Sequence, residues 1–179
     1  AAGGTEPRYR VSTMFTLDTD KEEILSAFAS ACSGSLVYVN GMWMMRGGAY
    51  RSPAITLTED DFVGPIEIQS RLSRRELGNA VKGLYVAADQ KYVDIRYPPV
   101  TTSWYETEDG ERICIERDFP FVTSAGQAQR LAKIELEELR QQITVKGRLK
   151  LGAYRVLPGE VIQLTIARYG WSSKVFRIV

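Results

Sequence analysis

The stretch that decides the fold is TSAGQAQRLAKIELEELRQQITVKGRLKLGAYRVLPGEVIQLT, Thr123–Thr165. Ser124 is a helix N-cap residue type, and Gln127 three positions on would complete a capping box. Leu131, Ala132, Leu136 and Leu139 then recur at helical spacing, so a helix is expected over about 124–142. Strand-like residues follow from Ile143 to Leu151, then the turn Leu157-Pro158-Gly159-Glu160, then a second run over Val161–Arg168. No loop in this stretch has the length of an active-site loop. It reads as a packed structural domain.

The same grammar extends outward. Asp20, with Glu23 three residues later, opens a second helix over about 20–33. Ile24, Leu25, Phe28, Ala31 and Cys32 fall on one face of it, and Gly34 is expected to cap its end. Asn40-Gly41 is a two-residue hairpin signal that pairs Leu36–Val39 with Met42–Met45. In that register Val37, Val39, Met42 and Met44 share one face, and Leu36, Tyr38, Trp43 and Met45 the other. Both faces are apolar and both should be covered, one of them by the preceding helix and the other by the rest of the domain or by a neighbouring subunit. Val37, Val39, Met42 and Met44 are therefore candidate interface residues.

Further strands are expected at Arg8–Phe15, Ile55–Leu57, Ile66–Gln69, Asn79–Val86, Lys91–Arg96 and Lys174–Ile178. Thr58 and Asp61 should cap one helical turn. Glu108-Asp109-Gly110 reads as a second hairpin turn, with Trp104-Tyr105 and Arg112–Ile115 as its arms. The class is α+β: mostly antiparallel strands with two amphipathic helices. One domain of two lobes is expected, a helix–hairpin lobe over about 8–65 and a β-rich lobe over about 66–179.

Composition narrows the function. The chain has 179 residues, 23 basic and 22 acidic, and no histidine. The charge balance gives no basic stripe, so specific nucleic-acid binding is disfavoured. The commonest general base and metal ligand is missing. Ser33, Ser35 and Ser172 have no histidine to pair with, although a Ser–Lys dyad stays open. Glu59-Asp60-Asp61 lacks the ligand spacing of a calcium loop. Glu106, Glu108, Asp109 and Glu111 crowd a turn, not the two sides of a cleft. Gly3-Gly4, Gly47-Gly48 and Gly83 form no phosphate loop. Arg71, Arg74 and Arg75 make a basic run that reads as a solvated connection more readily than as an anion grip. Cys32 and Cys114 lack metal-ligand spacing. They either pair or, as the residues favour, stay buried free thiols. The chain is therefore expected to hydrolyse nothing and to need no metal or cofactor.

Trp43, Trp104, Tyr105, Tyr169 and Trp171 serve equally as core, interface anchors or sugar-stacking rings. Trp104, Tyr105 and Trp171 are the candidates for stacking on a ligand. No apolar run is long enough for a membrane span. AAGGTEPRYR lacks a signal-peptide core, Ala1–Glu6 should be loosely held, and Ala1 is expected to be a cut point in a longer polypeptide.

Several segments, taken in order, resemble one family. They are Gly4-Thr5-Glu6-Pro7-Arg8-Tyr9, ILSAFASACSGSLVYVNGMWMMRGGAY, TLTEDDFVGPIEIQSRLSRRELGNAVKGLY, PPVTTSWY, QRLAKIELEELRQQITV and LPGEVIQLT. Together they are similar to the hub domain of tailed-phage tail-tip or baseplate-hub proteins, the family of the central host-specificity protein of lambda-like siphophages. The resemblance implies a virion structural protein of a phage or prophage, located at the tail tip and in the host cytoplasm during assembly. Its partners would be other tail proteins and further copies of itself, in a trimer or ring. It would join the tail tube to distal fibre or receptor-recognition parts, with no catalytic residues and with most of the full-length protein lying elsewhere. The alternative is a carbohydrate-binding or adhesin module, which the aromatic residues would serve.

Overall fold

The computed structural model describes residues 6–71, 73 and 77–179. The expected loose start, Ala1–Thr5, and Leu72, Arg74 and Arg75 of the basic run lie outside the described residues. The class is α+β, with small, mostly antiparallel sheets. The chain divides into two compact units, and neither is one continuous stretch. The first holds 1–36 and 73–141; the second holds 37–72 and 142–179.

The first unit contains α1 (Lys21–Ala31) and, after it, the hairpin β1 (Ser35–Val39) and β2 (Met42–Arg46) crosses into the second. Asp20 caps α1 by accepting the Glu22 N–H at 3.1 Å. The helix ends differently from the expectation. Ser33, not Gly34, takes the left-handed conformation (φ 46°), and the Gly34 N–H returns to the Ala29 carbonyl at 2.8 Å. The Ser33 N–H reaches Ser30 O, which completes a Schellman closure.

Three strands of the first unit form a sheet in the order β8 (Val100–Thr101), β5 (Ala80–Lys82), β9 (Cys114–Glu116). β5 runs antiparallel to β8 and parallel to β9. β6 (Leu84–Ala87) and β7 (Val93–Arg96) make a separate hairpin. The helix α3 (Ala125–Leu139) lies on β5, β6 and β8. Its inner stripe, Ala128, Leu131, Ala132 and Leu136, is fully buried with Val81, Tyr97, Phe119 and Val122. The expected periodicity thus marks the core-facing side, and sealing it from water is the main stabilising term of the unit.

Three expectations fail here for identifiable reasons. Asn79–Val86 is not one strand. It breaks at Gly83, where a Cβ would sit 1.9 Å from the Arg117 carbonyl oxygen. Main chain crosses main chain at this point. Arg117 N–H donates to Lys82 O, Phe119 N–H to Leu84 O, and the Asp118 carboxylate accepts Leu84 N–H. Second, Arg8–Phe15 is not a strand. Its backbone is held by a side chain: Gln127 Oε1 accepts Arg10 N–H and Gln127 Nε2 donates to Arg10 O, both at 3.0 Å. Gln127 also donates to Ala31 O, so its amide is turned into the core and does not reach back to complete the capping box. Third, Trp104-Tyr105 is not a hairpin arm. It lies in α2 (Ser103–Asp109), and Gly110 (φ 75°) ends that helix. Asp-Gly serves a left-handed helix end as well as it serves a hairpin.

The second unit centres on a sheet ordered β12 (Trp171–Arg177), β11 (Val161–Ile166), β3 (Thr56–Thr58). β11 is antiparallel to β12 and parallel to β3. Along β11 the residues Ile162, Leu164 and Ile166 point inward and are buried while their neighbours are not. Ile162, Leu164 and Leu57 pack with Phe62, Val145, Val156 and Phe176. A short sheet pairs β4 (Glu67–Gln69) with β10 (Thr144–Lys146). Beyond β10 the expected strand gives way to a short 3-10 helix, Leu151–Arg155. Thr58 N–H and Oγ1 both donate to the Asp61 carboxylate, as the capping signal predicted.

The turn Leu157–Glu160 has Gly159 at φ 79° and Glu160 N–H donating to Leu157 O, a type II turn. The Glu160 carboxylate accepts the Leu157 N–H at 3.0 Å and faces Arg46 at 3.3 Å. These contacts, the backbone N–H first, hold its pKa below the ordinary carboxylate value.

Two tests follow from this packing. Gly83→Ala should destabilise the chain by about 3 kcal/mol in chemical denaturation, because backbone must move. Gly78→Ala, whose new Cβ meets the Ile115 side chain (Cδ1 at 2.5 Å, Cγ1 at 2.7 Å) where Gly83 meets backbone, should cost less, about 1 kcal/mol. Equal costs would contradict the crossing. For Glu160, a folded pKa below the unfolded one gives stability that is present above the unfolded value of 4.5 and lost as pH falls through the folded value. Glu160→Gln should therefore be less stable than the native chain at pH 7, with the gap closing on acidification below pH 4.5. A gap constant across that range would refute the assignment.

Candidate functional site

The carboxylate clusters are committed to structural contacts. Glu59 pairs with Arg168 at 3.1 Å, and Asp61 is taken by Thr58. Around α2, Arg140 emerges from the end of α3 and is 7% exposed. It holds Asp109 at 2.9 Å and Glu108 at 2.7 Å. Buried Asn79 donates to Asp109 and to Glu111 O, and accepts the Ile113 N–H. Glu106 pairs with Arg112 at 2.7 Å. Among the described residues, no three Cys, Asp or Glu side chains come together as a metal site. Cys32 and Cys114 are free thiols. Cys114 is exposed, against the expectation of burial, because it sits on an outward position of the edge strand β9.

The aromatic candidates are distributed over both units and are mostly occupied. In the first unit, the Tyr105 hydroxyl donates to Glu137 at 2.9 Å and the Arg140 guanidinium covers its ring at 4.5 Å. The Glu137 hydrogen bond raises the phenol's pKa. Trp104 beside it is open, at 72% exposure. In the second unit, Trp171 lies between Tyr169 (5.5 Å) and Phe176 (5.3 Å), with Lys174 Nζ 5.0 Å from its ring centroid.

The hairpin β1–β2 turns at Asn40 (φ 53°) and Gly41 (φ 80°), as the sequence requires. Val37, Val39 and Met44 are half-buried and Met42 is exposed. The other face is barer. Tyr38 and Trp43 stack at 5.0 Å, with Trp43 63% exposed and Met45 open beside them. The expectation that both faces are covered therefore fails within a single chain. The depression along β4 and β10, lined by Glu67, Ile68, Gln69, Thr144 and Lys146, holds about 190 Å³. That is below the roughly 300 Å³ at which small-molecule sites begin.

Sequence reasoning missed Arg140, Asn79 and Gln127, the polar residues that lock the first unit. Only Gln127 carried a signal, at its capping-box position. No helix among the described residues is long and apolar enough to cross a membrane.

Residues 21–179 match the family described as "Putative phage tail protein". No curated protein matches the chain. Among solved structures, the fold is similar to that of a chain in the virion of a native gene transfer agent particle, with a TM-score of 0.72 at 19% identity. That match covers 91% of this chain and 36% of the other. It is also similar to the 43 kDa tail protein of prophage MuSo2 from Shewanella oneidensis, with a TM-score of 0.52 at 15% identity over 90% of this chain and 47% of that one. The chain thus spans less than half of each of these two chains. The match over 21–179 takes in both units, and on that ground the chain belongs to this phage tail protein family.

Proposed function

We propose that the chain is a structural part of a phage or prophage tail, acting at the tail tip or baseplate hub. There it joins the tube to distal fibre or receptor-recognition parts. The family match over residues 21–179 carries this reading. The shared fold with a gene transfer agent virion chain supports it, and so do acidic clusters spent on salt bridges and caps. In this reading the chain is not an enzyme, and it works as a trimer or ring with other tail proteins. The hairpin supplies a contact: Val37, Val39, Met42 and Met44 on one face, with Tyr38 and Trp43 on the other. Large apolar side chains left in water on a two-stranded hairpin gain most from a neighbour's cover.

The test is made in the tail itself. Met42→Glu, at an exposed position, should leave the circular dichroism and melting of the purified chain unchanged. Particles carrying it should fail to complete tails, as counted by electron microscopy. Met44→Glu, at a half-buried position, should give the same defect. Normal tail yield from a folded Met42→Glu chain would reject the hairpin contact, and an unfolded Met44→Glu chain would make its face ordinary core. Tails complete in the absence of the chain would reject the structural role altogether.

A further inference from the structure

Two surfaces of opposite sign, one on each unit, each expose large apolar side chains. On the first unit, segments 103–112 and 135–140 hold seven carboxylates and two arginines, Arg112 and Arg140. They form one surface, because Arg140 bonds Glu108 and Asp109 and Tyr105 bonds Glu137. Arg117 reaches Glu135 at 3.4 Å from outside these segments. Among the described residues of these segments the carboxylates outnumber the cations, and Trp104 is 72% exposed in the same stretch.

On the second unit, residues 146–155 (KGRLKLGAYR) carry four cations and no acid. Lys146 stands opposite Glu67 in the ladder. Of the acids on the neighbouring 3-10 turn, Glu59 pairs with Arg168 and Asp61 accepts from Thr58 and feels the Lys150 charge, while Asp60 is exposed between them. Arg148, Lys150 and Arg155 remain. Leu151 and Tyr154, three apart on the 3-10 helix, lie on one side of it, 86% and 77% exposed.

We infer that the Leu151–Tyr154 surface of one copy docks on the Trp104 surface of a second copy, head to tail. Three observations favour this occupant. The charges are complementary. Both patches supply Trp, Tyr or Arg, the residue types that dominate interface energetics. And the two patches occur on one chain in equal number. A contact between unlike patches closes reciprocally in a two-fold pair or propagates, and a propagating contact gives a ring when the rotation closes. This deepens the proposed assembly role and names surfaces distinct from the hairpin.

The experiment needs no tail particle, so it can fail while the tail role stands. The purified chain is followed by sedimentation velocity over rising concentration. The native chain should self-associate, less so at high salt because rim charges are screened. Lys150→Glu with Tyr154→Ala breaks the basic side; Trp104→Ala with Glu111→Lys breaks the acidic side. Each double variant alone should self-associate at least roughly tenfold more weakly. Mixed one to one, each variant keeps one intact patch, so the mixture should form dimers and nothing larger. The single variants Tyr154→Ala and Trp104→Ala, which keep all charges, should repeat the pattern if a double variant fails to fold. A native chain monomeric at every concentration, variants that associate like the native chain, or a mixture that stays monomeric would each overturn the inference. So would loss of binding to phosphatidylglycerol vesicles by the basic-side variant in a chain that never self-associates, which would assign that surface to an anionic lipid.

Discussion

The first unit depends on one close approach. At Gly83 the backbone passes so near the Arg117 carbonyl that no side chain fits between them. The contact brings 82–84 beside 117–119, and everything nearby inherits its geometry. Phe119 and Val122 are set into the core, Tyr97 is placed so that its hydroxyl donates to Arg117 O at 2.9 Å, and β5 and β6 are turned out of line. The Tyr97 phenol is pushed well above its ordinary pKa, first by burial, so it stays a neutral donor. α3 then closes over the surface that results. An amide ladder alone would not fix this arrangement, since β5 has three residues and β8 two.

Polar groups in that core are few and fully used. Gln127 does the work of a missing strand, offering one acceptor and one donor to Arg10 as a backbone neighbour would. Asn79 ties the start of β5 to the end of α2. Arg140 draws two carboxylates to the end of α3. Each is satisfied, and a partly satisfied set would cost more than an apolar replacement.

What the sequence disclosed follows from the range of the forces involved. α3, the Asn40-Gly41 hairpin, the Thr58–Asp61 cap and the inward alternation of β11 are local patterns, and they are legible. The Gly83 break and the Arg8–Phe15 segment depend on partners more than 30 positions away, so no local pattern reveals them. α2 was hidden because Trp104 and Tyr105 have strand propensity and Asp109-Gly110 fits two kinds of turn. The candidate surfaces were legible only in part. The hairpin's apolar residues could be assigned to faces from spacing, but not which face stays bare. That Tyr105 and Trp171 are already occupied depends on Arg140, Glu137 and Phe176, which only the fold brings to them.

The interleaving of the two units has a consequence for synthesis. β3 and β4 emerge early, yet their partners β11 and β10 are residues 161–166 and 144–146. The whole 73–141 insert must be made in between. At a ribosomal speed of about 5–20 residues per second, the 37–72 segment waits several seconds with Leu57 and Phe62 unpaired. The first unit is closed by residue 141 and is free to fold while the second cannot. The nascent chain therefore passes through a stage in which a finished unit carries an unfinished, sticky strand pair. It is at that stage, more than in the completed molecule, that a holding chaperone has something to bind.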